Sequence, residues 1–132
     1  MYRIAQQIAE KNNCLAVVNG ESIGQVASQT LESMSVINKV VDIPVIRPVV
    51  TYDKLEIIDL AQKINTYETS ILPYEDCCTI FTPKNPVTRP HIQKVENQEE
   101  RFDWEPLIEE AVAKTESMMI YPTSKFDEED IL

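Results

Sequence analysis

Two clusters of residues could carry chemistry. The first is Asn19-Gly20-Glu21-Ser22-Ile23-Gly24-Gln25-Val26-Ala27-Ser28-Gln29. It follows the apolar run Cys14-Leu15-Ala16-Val17-Val18 and leads into a helical pattern. It holds both glycines of the chain. Glycine takes positive φ without strain and lets a ligand approach the backbone closely. At the carboxyl end of a strand, ahead of a helix, such a turn offers N–H groups to a nucleotide or a phosphate. A plain strand–turn–helix connection uses the same residue types, and a short glycine motif alone does not separate the two.

The second cluster is Ile71-Leu72-Pro73-Tyr74-Glu75-Asp76-Cys77-Cys78-Thr79-Ile80-Phe81-Thr82-Pro83-Lys84. Adjacent cysteines cannot both take ideal metal geometry unaided. There is no C-x-x-C, Cys14 lies in the expected strand and His91 is the one histidine, so no metal site is expected. A vicinal disulfide would be strained. A reactive thiol needs exposure and a lowered pKa; Lys84 and Arg89 would favour it, Glu75 and Asp76 oppose it. A pair of small, partly buried side chains is the plainer alternative. Cys14 reads as core. Arg47 and Lys54 flank the end of the second strand and could meet phosphate, or be surface charges. His91 reads as exposed, and Met118-Met119-Ile120 as packing.

The remaining numbers set the frame. The 132 residues suggest one domain, and 43% hydrophobic with 26% charged suggests a soluble globular one. The start, Met1 to Glu10, is patterned as an amphipathic helix rather than a signal peptide, and no apolar run approaches the roughly 20 residues of a membrane span. We therefore expect a cytoplasmic protein with no membrane partner. A net charge of −10 argues against broad phosphate-backbone binding by this chain itself. Three cysteines, an odd number, fit free thiols in a reducing compartment.

The elements that must position these clusters follow from periodicity. Helices are expected over Tyr2–Asn12, Gln25–Met34, Thr51–Ala61, Ile92–Arg101 and Trp104–Ser117. Strands are expected over Cys14–Asn19 and Val45–Val50, the latter short or at an edge because of Pro44 and Pro48. Asp53 or Thr51 caps the third helix, with Leu55, Ile58 and Ala61 facing inward. Asp103 caps the last, with Pro106 in its first turn. Thr66 to Pro90 reads as loop. Helix, strand, helix, strand, helix is an α/β order with a parallel sheet. Two strands are too few for a sheet that needs cover on both faces, so the fold is expected to be incomplete in this chain.

Three segments, taken in order, resemble a known family: Val18–Leu31 (VNGESIGQVASQTL), Pro44–Ile58 (PVIRPVVTYDKLEII) and Pro73–Thr88 (PYEDCCTIFTPKNPVT). They are similar to the C-terminal part of the tRNA 4-thiouridine synthases, also called tRNA sulfurtransferases or thiamine-biosynthesis sulfurtransferases. The resemblance runs from Met1 to about Ser117. It implies a Rossmann-like PP-loop (adenine-nucleotide α-hydrolase-like) half-domain with a parallel sheet and flanking helices. Residues 1–120 would be the C-terminal part of the catalytic domain and residues 121–132 an acidic tail.

The resemblance also implies an activity. Such enzymes use ATP, with magnesium expected, to adenylate a tRNA uridine. Persulfide sulfur delivered by a cysteine desulfurase then displaces AMP to give 4-thiouridine, and sulfur is also supplied for the thiamine thiazole. By the same resemblance Gly20 and Gln29 match nucleotide-binding positions, and Cys77 matches the cysteine that acts in sulfur transfer. Backbone N–H groups from Gly20 to Gly24 would hold the AMP moiety. The family's PP-loop, its tRNA-gripping N-terminal domains and the rhodanese domain of some members have no match here. The chain is thus expected to be a piece of the catalytic domain, inactive alone, with a homodimer as a further expectation. Another PP-loop thiolase, an interaction module and a thiol redox switch are the competing readings.

Overall fold

The computed structural model describes residues 1–73, 85 and 87–122. Among these, six helices and one small sheet follow the expected alternation. Helix α1 spans Tyr2–Lys11, β1 Val17–Val18, α2 Leu31–Asn38, β2 Val45–Ile46, α3 Lys54–Lys63, α4 Tyr67–Ser70, α5 Ile92–Glu99 and α6 Glu105–Ala113. β1 and β2 pair in parallel, with Val17 opposite Val45 and Val18 opposite Ile46.

The strands are shorter than their apolar runs. The ladder closes with Val17 N–H donating to Pro44 O at 3.0 Å and Asn19 N–H to Ile46 O at 3.1 Å. Beyond it stand Pro44 and Pro48, which have no N–H to extend the pairing. The expected strand residue Cys14 instead belongs to the end of α1. Asn13 takes φ 55°, Asn13 N–H donates to Glu10 O at 3.1 Å and Cys14 N–H to Ala9 O at 2.8 Å. That is a Schellman cap with asparagine in the left-handed position. It turns Cys14 outward, so this thiol is exposed and not part of the core.

The same cap ends α3. Asn65 has φ 59°, its N–H donates to Gln62 O at 3.1 Å, and Thr66 N–H donates to Ala61 O at 2.9 Å. At the other end of α3, Asp53 and Glu56 form a reciprocal capping box. Asp53 is thus the cap, as expected. Of the residues expected to face inward, Ile58 and Ala61 are half-buried, but Leu55 is exposed.

Helix α2 begins six residues later than its periodicity suggests. Gly24 sits at φ 78°, and the Thr30 hydroxyl accepts from Ser33 N–H at 3.1 Å, which makes Thr30 the N-cap. Residues 21–30 are therefore a wide turn rather than the first turns of a helix. Helix α6 starts after Trp104, not Asp103, although Pro106 does fall in its first turn. The Trp104 ring lies under the Arg3 guanidinium, 4.1 Å from it, which ties the residue to α1.

α1 packs against α6 and β1, and α3 against α4. The core is thin. Ala9, Met34 and Val112 are the buried apolar residues among those described, joined by Ser22 and Ser33. Val18 and Ile46, at the heart of the sheet, remain 63% and 50% exposed. Parallel sheets normally lie covered on both faces. The sheet is thus incomplete in this chain. Met118, Met119 and Ile120 are exposed rather than packed, because they extend past the end of α6.

Candidate functional site

The site is the turn that leaves β1. Parallel pairing places Asn19 and Arg47 side by side at the carboxyl ends of β1 and β2. The Asn19 amide donates to the Tyr2 hydroxyl on α1, and its Oδ1 accepts from Glu21 N–H at 3.2 Å, a local turn of the kind asparagine favours. Ser22 is 2% exposed, and its hydroxyl donates to Tyr52 O at 2.7 Å. Ile23 N–H donates to Val50 O at 2.9 Å, and Gly24 N–H to Gln29 O at 2.8 Å. The turn is thereby fastened to α1 on one side and to the β2–α3 connection on the other.

The two expected nucleotide-binding residues occupy different parts of this turn. Gly20 is exposed, and a Cβ built on it meets nothing within 4 Å. The space over its backbone is open. Gln29 is half-buried, and its Oε1 is fully buried without a hydrogen-bond partner among the described residues. An orphaned buried acceptor costs about 1–3 kcal/mol, so its presence asks for a donor. The amides of Glu21, Ile23 and Gly24, expected to hold a ligand, already donate within the protein. Three of the five amides expected to hold a ligand are thus engaged within the protein.

Gln29, Asn19, Glu21 and Tyr2 line one side of a cavity of about 590 Å³. Val36 and Ile37 of α2, Val95 and Glu99 of α5 and Ile108 of α6 line the rest. This is the volume range of small-molecule sites. Apolar walls of this kind suit a flat ring system. The charged lining is mixed, with Arg3 and Lys39 beside Glu21, Glu96 and Glu99, and Gly20 is not among the lining residues.

Arg47 lies beside the turn. Its Nε donates to Glu21 Oε2 at 2.8 Å, and its Nη2 to Asn38 Oδ1 at 2.7 Å and the Tyr2 hydroxyl at 3.1 Å. Its side chain is 9% exposed. Burial pulls its pKa down. The bond to Glu21, the neighbouring Tyr2 and the Glu21 charge outweigh that and hold the guanidinium above its ordinary value. Arg47 is thus neither a phosphate ligand nor a loose surface charge. Arg89 is exposed and lies 3.7 Å from Glu32, Lys54 opens α3 exposed, and His91 is exposed ahead of α5. Cys77 and Cys78 lie outside the described residues. No group of three or more His, Cys, Asp or Glu among the described residues is placed to hold a metal. No helix among them is long and apolar enough to cross a membrane.

The sequence places Asn19 in the site and offers Arg47 as a possible phosphate contact, but it misses Tyr2. Arg47 had one legible signal, a charge set between prolines at a strand end. Tyr2 had none, because its contact spans 17 positions to Asn19 and 45 to Arg47.

Comparison with known proteins identifies the family. The chain is 60% identical over 116 residues to a probable tRNA sulfurtransferase of Brevibacillus brevis, covering 88% of this chain and 29% of that protein. It resembles the crystal structure of a 4-thiouridine synthetase–RNA complex with bound ATP, with TM-score 0.79 and 49% identity over 86% of this chain and 30% of the other. The chain thus spans under a third of the length of these relatives, and its small parallel sheet with flanking helices is part of their α/β fold. The family model for thiamine biosynthesis protein (ThiI) matches residues 1–104, and the chain belongs to that family.

Proposed function

We propose that this chain is the C-terminal part of the catalytic domain of a cytoplasmic, ATP-dependent tRNA sulfurtransferase. The observation that carries the reading is the turn after β1, which presents an open Gly20 backbone and sets Gln29, its Oε1 buried and unpartnered among the described residues, in the cavity wall. Both residues are ones the family resemblance assigns to the nucleotide. A relative 49% identical binds ATP and RNA, which supports the same ligands here. In this reading Gln29 Oε1 accepts from the base amino group. Gly20 leaves room for the ribose end, and the apolar walls exclude water. ATP is expected to arrive with magnesium, to which no residue of this chain is assigned.

The chemistry then follows in balanced steps. The uridine C4 oxygen attacks the α-phosphorus of ATP and pyrophosphate leaves, so that oxygen becomes part of a good leaving group. The terminal sulfur of a persulfide on Cys77, supplied by a cysteine desulfurase, attacks C4. The C4–O bond breaks and AMP departs. A second thiolate, from Cys78 or a partner, attacks the Cys77 sulfur. The disulfide that forms leaves the transferred sulfur on C4 as 4-thiouridine, and a thiol reductant restores both cysteines. Persulfides are effective here because the ionised sulfur is the nucleophile. Sulfur for the thiamine thiazole would leave by the same persulfide. The tRNA would be gripped mainly by domains outside this chain. A homodimer, measurable by sedimentation of the purified chain, would cover Val18 and Ile46.

The test is the 4-thiouridine content of tRNA in cells lacking the gene, rescued with the full-length protein as wild type, Cys77→Ala or Cys78→Ala. Restoration by wild type and loss with Cys77→Ala is expected. Failure of wild type overturns the sulfurtransferase reading. Full activity of Cys77→Ala overturns the role of that thiol.

A further inference from the structure

Arg47 is the point where three elements and the candidate turn meet. Its donors reach Glu21 in the turn, Asn38 at the end of α2 and Tyr2 on α1. Tyr2 in turn holds Asn19, the first residue of the turn, and its ring lies 5.9 Å from the guanidinium. Asn19 and Glu21 bracket Gly20. Gly20, which like Gly24 has open space over its backbone, is therefore held on both sides by residues that Arg47 contacts directly or through Tyr2.

A bidentate, planar donor suits this arrangement. One fork reaches Glu21 while the other serves Asn38 and Tyr2, in fixed relative directions. Lysine keeps the charge but not the fork. With the side chain 9% exposed, water cannot replace the lost bonds freely.

We infer that Arg47 is the positioning residue of the nucleotide-facing turn, setting the height and angle of Gly20 through Glu21 and the Tyr2–Asn19 pair. The inference rests on the nucleotide reading of that turn. Arg47 touches no nucleotide in this assignment. It acts by fixing the backbone against which the nucleotide lies, so its loss weakens ATP binding more than it slows the chemistry of bound substrates.

The experiment uses the full-length sulfurtransferase carrying this chain, as wild type, Arg47→Lys, Glu21→Gln and the double variant. ATP affinity is measured by calorimetry, with KM for ATP, KM for tRNA and kcat from thiolation assays, and the thermal midpoint recorded alongside. We expect each single variant to raise the ATP Kd and KM about tenfold, with kcat at saturating ATP and KM for tRNA nearly unchanged. The double variant should be no worse than Arg47→Lys, because both break one linkage. Unchanged ATP affinity in Arg47→Lys and Glu21→Gln overturns the inference. So does a parallel loss of ATP and tRNA binding with a fallen thermal midpoint, which marks a general structural role. Should Arg47→Lys not fold, Glu21→Gln alone decides between these outcomes. Failure of the wild type to bind ATP overturns the nucleotide reading itself, and is distinct from both.

Discussion

Arg3 and Glu99 meet across 96 positions of sequence through two parallel hydrogen bonds, 2.6 Å and 2.8 Å long. The pair joins α1 to the end of α5, and the same guanidinium stacks on Trp104 at the start of α6. One side chain thus ties three helices along one wall of the cavity. The Arg3 hydrogen bond holds the Glu99 carboxyl below its ordinary value of 4.5, against the opposing effect of burial and with the help of the Arg3 charge.

The sign of the pH dependence follows from that depression. The folded state binds the Glu99 proton more weakly than the unfolded chain, so the contribution is complete above about pH 4.5. It is lost as pH falls through the lower folded-state value. We expect Glu99→Gln to destabilise the protein by about 1 kcal/mol at pH 7, the scale of a partly exposed bidentate pair. The gap from wild type should narrow as the pH is taken below 4.5. Urea midpoints on either side of that pH check this, and a gap that stays constant would refute it.

Gln29→Leu separates stability from binding. Removing an unpartnered buried oxygen should leave the thermal midpoint level or raise it, since the orphan costs about 1–3 kcal/mol in the unliganded protein. ATP affinity should fall about tenfold, because the donor on the base loses its acceptor. A loss of both, or of neither, would show that Gln29 Oε1 does not face the ligand.

The two glycines should respond differently to alanine. Gly24→Ala forces a side chain into φ 78° and should cost about 1–2 kcal/mol of stability. Gly20→Ala has open space and ordinary φ, so stability should barely move while ATP affinity drops. Denaturation curves and ATP titrations of both variants distinguish backbone shaping from ligand clearance.

Asp53→Ala should lower stability by about 1 kcal/mol by opening the capping box at α3. Asp53→Asn, which keeps an acceptor for Glu56 N–H, should lose less. Guanidinium midpoints of the two variants are the check.

What the sequence could show divides by distance along the chain. The α3 cap was legible because Asp53 and Glu56 lie within one turn of each other. The turn holding Gly20 and Gln29 was legible as a place. The late start of α2 was not, because Gln25 to Ser28 carry helical periodicity and only the Thr30 hydroxyl marks the true end of the turn. Cys14 misled because its apolar neighbours mask a left-handed Asn13. The linkage through Tyr2 and Arg47 depends on how α1 docks beside β1, which no local pattern encodes. Cys77 was legible through resemblance alone and lies outside the described residues.

The two-stranded sheet has a colloidal consequence. Val18 and Ile46 sit on strands whose outer edges, among the described residues, are unpaired and could template pairing with other chains. Apart from its relatives' remaining segments, the chain has one general defence against that, the mutual repulsion of molecules carrying a charge of −10. Near the isoelectric point of about 4.5 that repulsion vanishes, while the Arg3–Glu99 tie, whose carboxyl titrates lower, still holds. Mild acid therefore silences the charge while Val18 and Ile46 stay exposed, and the purified chain should precipitate there.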